Sequence, residues 1–316
     1  MSDNGEEEHS DFEGFAHRDN GGENTDDGDF SLARVVTKLR TNDPSLFSGS
    51  NSNDQNLVIH PSVQDSGRLK IAEALTQNTV VRCITLQPHD YSKLSADAMA
   101  KYLLQSKHLL KVDLIGEALT LFGFRIGVTF GFVPERALCT FIEAIGQSNS
   151  VQELSLINLG LESASESFET LLARTKTLRY LRVDLERQDP LEEAATAAIA
   201  SGFSKNSTLR DIKLIDWQQT SLTPALTALR DHPVLEKLQV EGFSSFTGID
   251  ALLRGKKSQL KELIIARSKG SAVDQMVCFE SFMLEMGRNT TILNMIIAHV
   301  PLSNDNAQQL KAMLRR

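Results

Sequence analysis

One phrase returns eight times along the last three quarters of the chain, and it limits the fold more than any other feature. It is an apolar hexapeptide of the form L-x-x-L-x-L, often preceded three places earlier by Asn or Ser. The copies are Val81-Arg-Cys-Ile84-Thr-Leu86, Leu109-Leu-Lys-Val112-Asp-Leu114, Val151-Gln-Glu-Leu154-Ser-Leu156 and Leu178-Arg-Tyr-Leu181-Arg-Val183. They continue as Leu209-Arg-Asp-Ile212-Lys-Leu214, Leu235-Glu-Lys-Leu238-Gln-Val240, Leu260-Lys-Glu-Leu263-Ile-Ile265 and Ile292-Leu-Asn-Met295-Ile-Ile297. First positions are separated by 28, 42, 27, 31, 26, 25 and 32 residues. A single copy would mean little, but a fixed period of roughly 20–50 residues is the mark of stacked units. Between copies the apolar spacing changes from two to about 3.6, as in Leu138-Phe141-Ile142-Ile145 and Leu222-Leu226-Leu229. Pro134, Pro190 and Pro224 fall near the starts of these helical stretches, where a first turn tolerates proline. Each unit is therefore a strand, a turn, a helix and a return turn. One unit cannot bury both of its apolar faces. A stack can, with the strands in one parallel sheet and the helices outside it.

These residues resemble the leucine-rich repeat family. A unit near 28 residues with a full helix is similar to its ribonuclease-inhibitor-like branch, as are the linkers Gln77-Asn-Thr-Val-Val81, Asn206-Ser-Thr-Leu209 and Asn289-Thr-Thr-Ile292. The resemblance covers about residues 56–316 and implies an α/β solenoid with a concave parallel sheet and convex helices. It implies no single function, since the branch holds inhibitors, receptor sensor regions, GTPase-activating proteins and actin-binding caps. The family usually places Asn or Cys three positions after the third apolar residue. Here those places read His89, Glu117, Leu159, Glu186, Trp217, Phe243, Ser268 and Val300, so no Asn ladder supports the strand-exit turns.

Side chains alternate across a strand, so the residues flanking the second and third apolar positions line the concave face. Those columns run from Cys83/Thr85/Gln87 and Lys111/Asp113/Ile115 to Asn294/Ile296/Ala298. Tyr, Trp and Arg dominate binding hot spots, so the candidate site is Tyr180, Arg182, Asp184, Asp211, Lys213 and Trp217. Lys111, Asp113, Glu153 and Lys237 surround it. The expected function is non-enzymatic binding of a protein partner on this face. One rival is a GTPase-activating protein, with Arg125 or Arg267 on loops. Another is the sensor region of a larger NOD-like receptor.

The formal net charge of −8 divides unevenly. Residues 1–30 hold eleven acids and one base, and the other 286 residues sum to +2. An acidic, glycine-containing segment of this kind cannot bury enough apolar surface to order itself. The expected layout is a disordered acidic tail over 1–30, an N-terminal helix and linker over 31–55, and a solenoid of about eight repeats over 56–316. The tail is expected to screen or compete for Lys111, Arg182, Lys213 and Lys237. The 42-residue interval contains an insertion over 115–134 with Phe122, Phe124, Phe130 and Phe132. It reads as a protruding apolar loop, as a hairpin-like flap folded on the solenoid, or as retained intron sequence.

Nucleophile-elbow, phosphate-loop, zinc-protease and dinucleotide motifs are all missing from the sequence. The seven histidines and three cysteines show no ligand spacing, so no metal and no cofactor is expected. A nearly neutral body gives no support to nucleic-acid binding. No apolar run reaches the length of a membrane span. With no signal peptide at Met1 and no disulfide framework, the expected location is the cytoplasm or nucleus. Asn206-Ser-Thr208 and Asn289-Thr-Thr291 match the glycosylation sequon, but they belong to return turns and are expected to stay unmodified.

Overall fold

A computed structural model describes residues 27–47, 55–116, 120–121, 124–125, 135–185, 191–255, 258–267 and 279–314. The strands in chain order are β1 (Asn56–Val58), β2 (Cys83–Leu86), β3 (Lys111–Ile115), β4 (Thr120–Leu121), β5 (Phe124–Arg125) and β6 (Glu153–Ile157). β7 (Tyr180–Asp184), β8 (Asp211–Ile215), β9 (Lys237–Glu241), β10 (Glu262–Ala266) and β11 (Asn294–Ala298) follow. The helices are α1 (Asp27–Arg40), α2 (Asp65–Leu75), α3 (Lys93–Gln105), α4 (Glu135–Gln147) and α5 (Ser165–Arg174). They continue as α6 (Glu193–Lys205), α7 (Gln219–Leu229), α8 (Ile249–Leu253), α9 (Phe279–Arg288) and α10 (Asn304–Leu314).

Nine strands form one sheet in the order β1-β2-β3-β6-β7-β8-β9-β10-β11, and every neighbouring pair is parallel. Equivalent repeat positions stand side by side. Val112, Leu154, Leu181, Ile212, Leu238 and Leu263 make one continuous column, and all six are fully buried. The helices supply the opposing wall, in which Phe141, Phe168 and Phe203 come from α4, α5 and α6. Phe168 and Phe203 meet edge to face at 6.5 Å. Burying each such side chain contributes about 1.5–3 kcal/mol. The result is a leucine-rich-repeat-like α/β solenoid, with helices over one face of the sheet and, among the described residues, no element over the other, the open face.

In several units the residue three places before the first apolar position holds the return turn through its side chain. Asn78 and Asn206 accept from two turn N–H groups each through Oδ1. Their Nδ2 groups donate to Leu39 O and Leu172 O, carbonyls in the helix one unit back. Asn289 does the same toward Leu253 O. Ser106 and Ser148 substitute a hydroxyl acceptor for the amide. Asn therefore does stabilise turns here, but in three separate return turns and not at the strand exits. At the strand exits a different device operates. Asn158, Asp216, Gly242, Arg267 and His299, each one residue past a strand, have positive φ. Leu159, Trp217 and Phe243 then plug the turn from below, each at most 2% exposed. Packing replaces the missing strand-exit Asn, and the register stays regular.

Three departures from expectation concern the ends and the helices. A ninth strand, β1, precedes the first full repeat phrase. Its Leu57, with Ile59 just beyond it, is buried, but three residues are too few to show the pattern. Helix α1 already runs at Asp27, inside the segment assigned to the tail. Val36 and Leu39, from the expected N-terminal helix, pack it into the core, so it closes the first end of the stack. Pro224 lies in the second turn of α7, beyond its first. Residues 1–26 and most of the 115–134 insertion lie outside the described residues. Within the insertion, β4 and β5 pair antiparallel, Thr120 opposite Arg125 and Leu121 opposite Phe124.

At one point, α8, the helix layer is short. α8 has five residues, against ten to thirteen in α2–α7. Four phenylalanines fill the space it leaves. Phe246 contacts Phe243, Phe279 and Phe282 at centroid distances of 5.5, 5.2 and 4.6 Å.

Candidate functional site

The open sheet face carries three columns of side chains. The first runs Lys111, Glu153, Tyr180, Asp211, Lys237, Glu262 and Asn294, one per strand in direct register. Its ionised members alternate in sign on either side of Tyr180. The second runs Asp113, Ser155, Arg182, Lys213, Gln239, Ile264 and Ile296. The third holds Ile115, Ile157, Asp184, Ile215 and Glu241. Parallel pairing places neighbours in a column about 4.8 Å apart. Arg182 and Lys213 are thus adjacent cations, which would repel each other. Each is neutralised from the third column: Arg182 Nη2 lies 2.9 Å from Asp184 Oδ2, and Lys213 Nζ lies 2.7 Å from Glu241 Oε1. Gln239 Nε2 also donates to Glu241 Oε1. Further along the face, Lys111 pairs with Asp113 at 3.4 Å and Lys237 with Glu262 at 3.5 Å.

Partial burial tunes this face. Burial raises the Tyr180 hydroxyl pKa, and the Asp211 carboxylate beside it raises it further. Burial likewise raises the Asp211 carboxyl above the ordinary range, against the pull of Lys237. Burial works against the Lys111 ammonium, but Asp113, Cys83 and Glu153 together outweigh it and raise its pKa. The face is a set of half-buried polar groups held in fixed geometry, with most charges already matched.

Of the candidate residues, Tyr180, Arg182, Asp211, Lys213, Lys111, Asp113, Glu153 and Lys237 share this face. Asp184 shares it as a support, only 5% exposed beneath Arg182. Trp217 does not belong to it. Asp216 turns the chain at φ 57° and sends Trp217 back beneath the strand ends, 2% exposed. Its indole Nε1 donates to Val183 O at 3.3 Å, so it is a core plug and not a contact residue. Sequence reasoning passed over Glu241 and Glu262, the partners of two candidate lysines. Both stand in the same columns, so the repeat register was the signal for them. Arg267, exposed at the exit of β10, gives its backbone N–H to Ala298 O. The Arg125 side chain lies outside the described residues. Among the described residues no three His, Cys, Asp or Glu side chains converge as metal ligands. No described helix is long and apolar enough to cross a membrane.

Fold and site together define a leucine-rich-repeat-like solenoid with an open, charge-matched sheet face. No family model matches the chain, and no curated protein matches it. Among solved structures it is similar to actin-binding site 2 of leiomodin-1, at 16% identity and a TM-score of 0.30, over 58% of this chain and 78% of that one. It is also similar to the C-terminal domain of tropomodulin from Caenorhabditis elegans, at 10% identity and a TM-score of 0.21, over 90% and 92% of the two chains. Likenesses this distant carry no conclusion about what the chain binds.

Proposed function

We propose that the chain is a non-enzymatic protein-binding module of the ribonuclease-inhibitor-like type, acting in the cytoplasm or nucleus, with its partner laid across β3 and β6–β9. The observation that supports this is the column Lys111–Glu153–Tyr180–Asp211–Lys237. It offers one half-buried aromatic among fixed polar groups on a rigid sheet, the composition of a hot spot within a polar surround. Five neighbouring strands of five residues cover roughly 24 by 16 Å, about half of the ~800 Å² that each side of a standard interface buries. A stable partner therefore also reaches past the strands onto the turns at one edge.

The test is capture with the intact chain against a Tyr180→Ala/Asp211→Ala variant, which leaves the Arg182–Asp184 pair in place. The expected result is loss of at least one captured protein, with the melting temperature retained. A variant that captures the same proteins with the same affinity rejects the open face as the binding surface.

A further inference from the structure

The acidic N-terminal segment was expected to compete for Lys111, Arg182, Lys213 and Lys237. Each of those cations already has a carboxylate partner on the open face. The less neutralised positive charge lies elsewhere, along the edge formed by the return turns. The turns at 105–110, 147–152, 174–179 and 205–210 contain Lys107, Arg174, Lys176, Arg179, Lys205 and Arg210, and not one Asp or Glu. All six are exposed. Arg179 donates to Thr208 O, Lys205 pairs with Glu169 on α5, and Arg210 pairs with Glu236 in a later turn. Among the described residues Lys107, Arg174 and Lys176 make no ion pair. The opposite edge is acidic, with Glu162, Glu166, Glu192 and Glu193 where α5 and α6 begin. Helix dipoles favour this division, acids at helix starts and bases at helix ends. At α5 and α6 it places Arg174 and Lys205 on one edge of the stack and Glu166 and Glu193 on the other.

We propose that the basic return-turn edge from Lys107 to Arg210 is the docking site for residues 1–26 of the same chain. The argument does not depend on what binds the open face. Residues 1–26 hold nine acids and one base, so the occupant is complementary in charge to the edge. Reach is sufficient. The end of α1 is tied to the return turn at Asn78, where Nδ2 donates to Leu39 O at 2.7 Å. From there α1 runs back about 21 Å to Asp27, the point where the segment joins. The segment can extend to about 85 Å. The turns at 174–179 and 205–210 lie four and five units further along the stack, at about 10 Å per helix. Docked there, the acids would lie beside the open face and meet an approaching partner first.

Zero-length carbodiimide cross-linking of the full chain, followed by peptide mass spectrometry, tests this. Residues 1–26 contain no lysine, so side-chain links from their carboxylates must end on the body. The expected links join these acids to Lys107, Lys176 and Lys205. Their yield should fall at least about threefold between roughly 0.05 and 0.5 M salt, as screening shortens the range of exposed charges. A similar fall is expected in Arg174→Glu/Arg179→Glu/Arg210→Glu, which keeps every lysine. The salt series on the unmodified chain stands even if that variant misfolds. Links concentrated on Lys111, Lys213 and Lys237, links that ignore salt, or no links would overturn the proposal. Links found mainly between labelled and unlabelled copies in an isotope mixture would overturn it too, since the occupant would then be a second copy's segment.

Discussion

Replacing Asn206 with alanine should be among the costliest single changes outside the apolar core. The side chain is 2% exposed and makes three hydrogen bonds. Its Nδ2 donates to Leu172 O at 2.6 Å, and its Oδ1 accepts from Thr208 N and Leu209 N at 2.9 Å each. Alanine strands all three backbone groups, at about 1–3 kcal/mol for each one that water cannot reach. The Leu209 amide is buried and the Thr208 amide half-buried, so a loss of about 3–6 kcal/mol is expected. That is a large part of the roughly 5–15 kcal/mol that holds an ordinary domain together. Asn206→Ser gives the control. Ser148 already does this task in another unit, accepting from Ser150 N at 3.3 Å and Val151 N at 3.4 Å. Serine at 206 should keep both acceptor bonds, lose the one to Leu172 O, and cost about 1–2 kcal/mol. Urea unfolding followed by circular dichroism gives the three stabilities, and hydrogen exchange at the Leu209 amide localises the loss. An alanine cost below about 1 kcal/mol, or equal costs for serine and alanine, would refute the reasoning.

Burial holds His232 neutral, with its pKa lowered to about 4. The unfolded chain takes up the proton near pH 6.5 and the folded chain does not. Stability should therefore fall as pH drops from about 6.5 toward 4, by at most about 1.4 kcal/mol per unit. His232→Gln should flatten that slope in urea melts run at a series of pH values, and an unchanged slope would contradict it. Leu154→Ala and Leu181→Ala should each cost about 2–5 kcal/mol, as truncations of fully buried side chains do. Thermal melts should separate them from Tyr180→Ala, whose side chain is only half-buried. At Gly242, φ is 70° and an added Cβ would stand 1.6 Å from Asp216 Oδ1. Gly242→Ala should therefore cost at least about 1–2 kcal/mol from the backbone alone, and a neutral result would deny the close approach.

The repeat made the strands and their register legible, because one burial rule acts on every unit. Once Leu154 and Leu181 must point inward, Glu153 and Tyr180 must stand side by side on the other face. The turns were less legible, since the rule there depends on backbone dihedrals that residue types only weakly announce. Trp217 looks like a surface anchor by type and spacing, yet the positive φ of Asp216 one residue earlier reverses its direction. Leu159 and Phe243 filled the role expected of Asn, because a buried turn is held by packing as well as by hydrogen bonds. Charge was legible in amount but not in pairing. Lys213 offered no sign that its nearest carboxylate would be Glu241, 28 positions later, until the register of β8 and β9 set them together.

The phenylalanine cluster beneath α8 also has a mechanical consequence. Between β3 and β9 a pull along the stacking axis is resisted by matched helices, each leaning on the next along most of its length. At the five-residue α8 the same load passes through the rings of Phe243, Phe246, Phe279 and Phe282. That junction would act as a fuse, releasing β10 and β11 while the open face upstream keeps its shape.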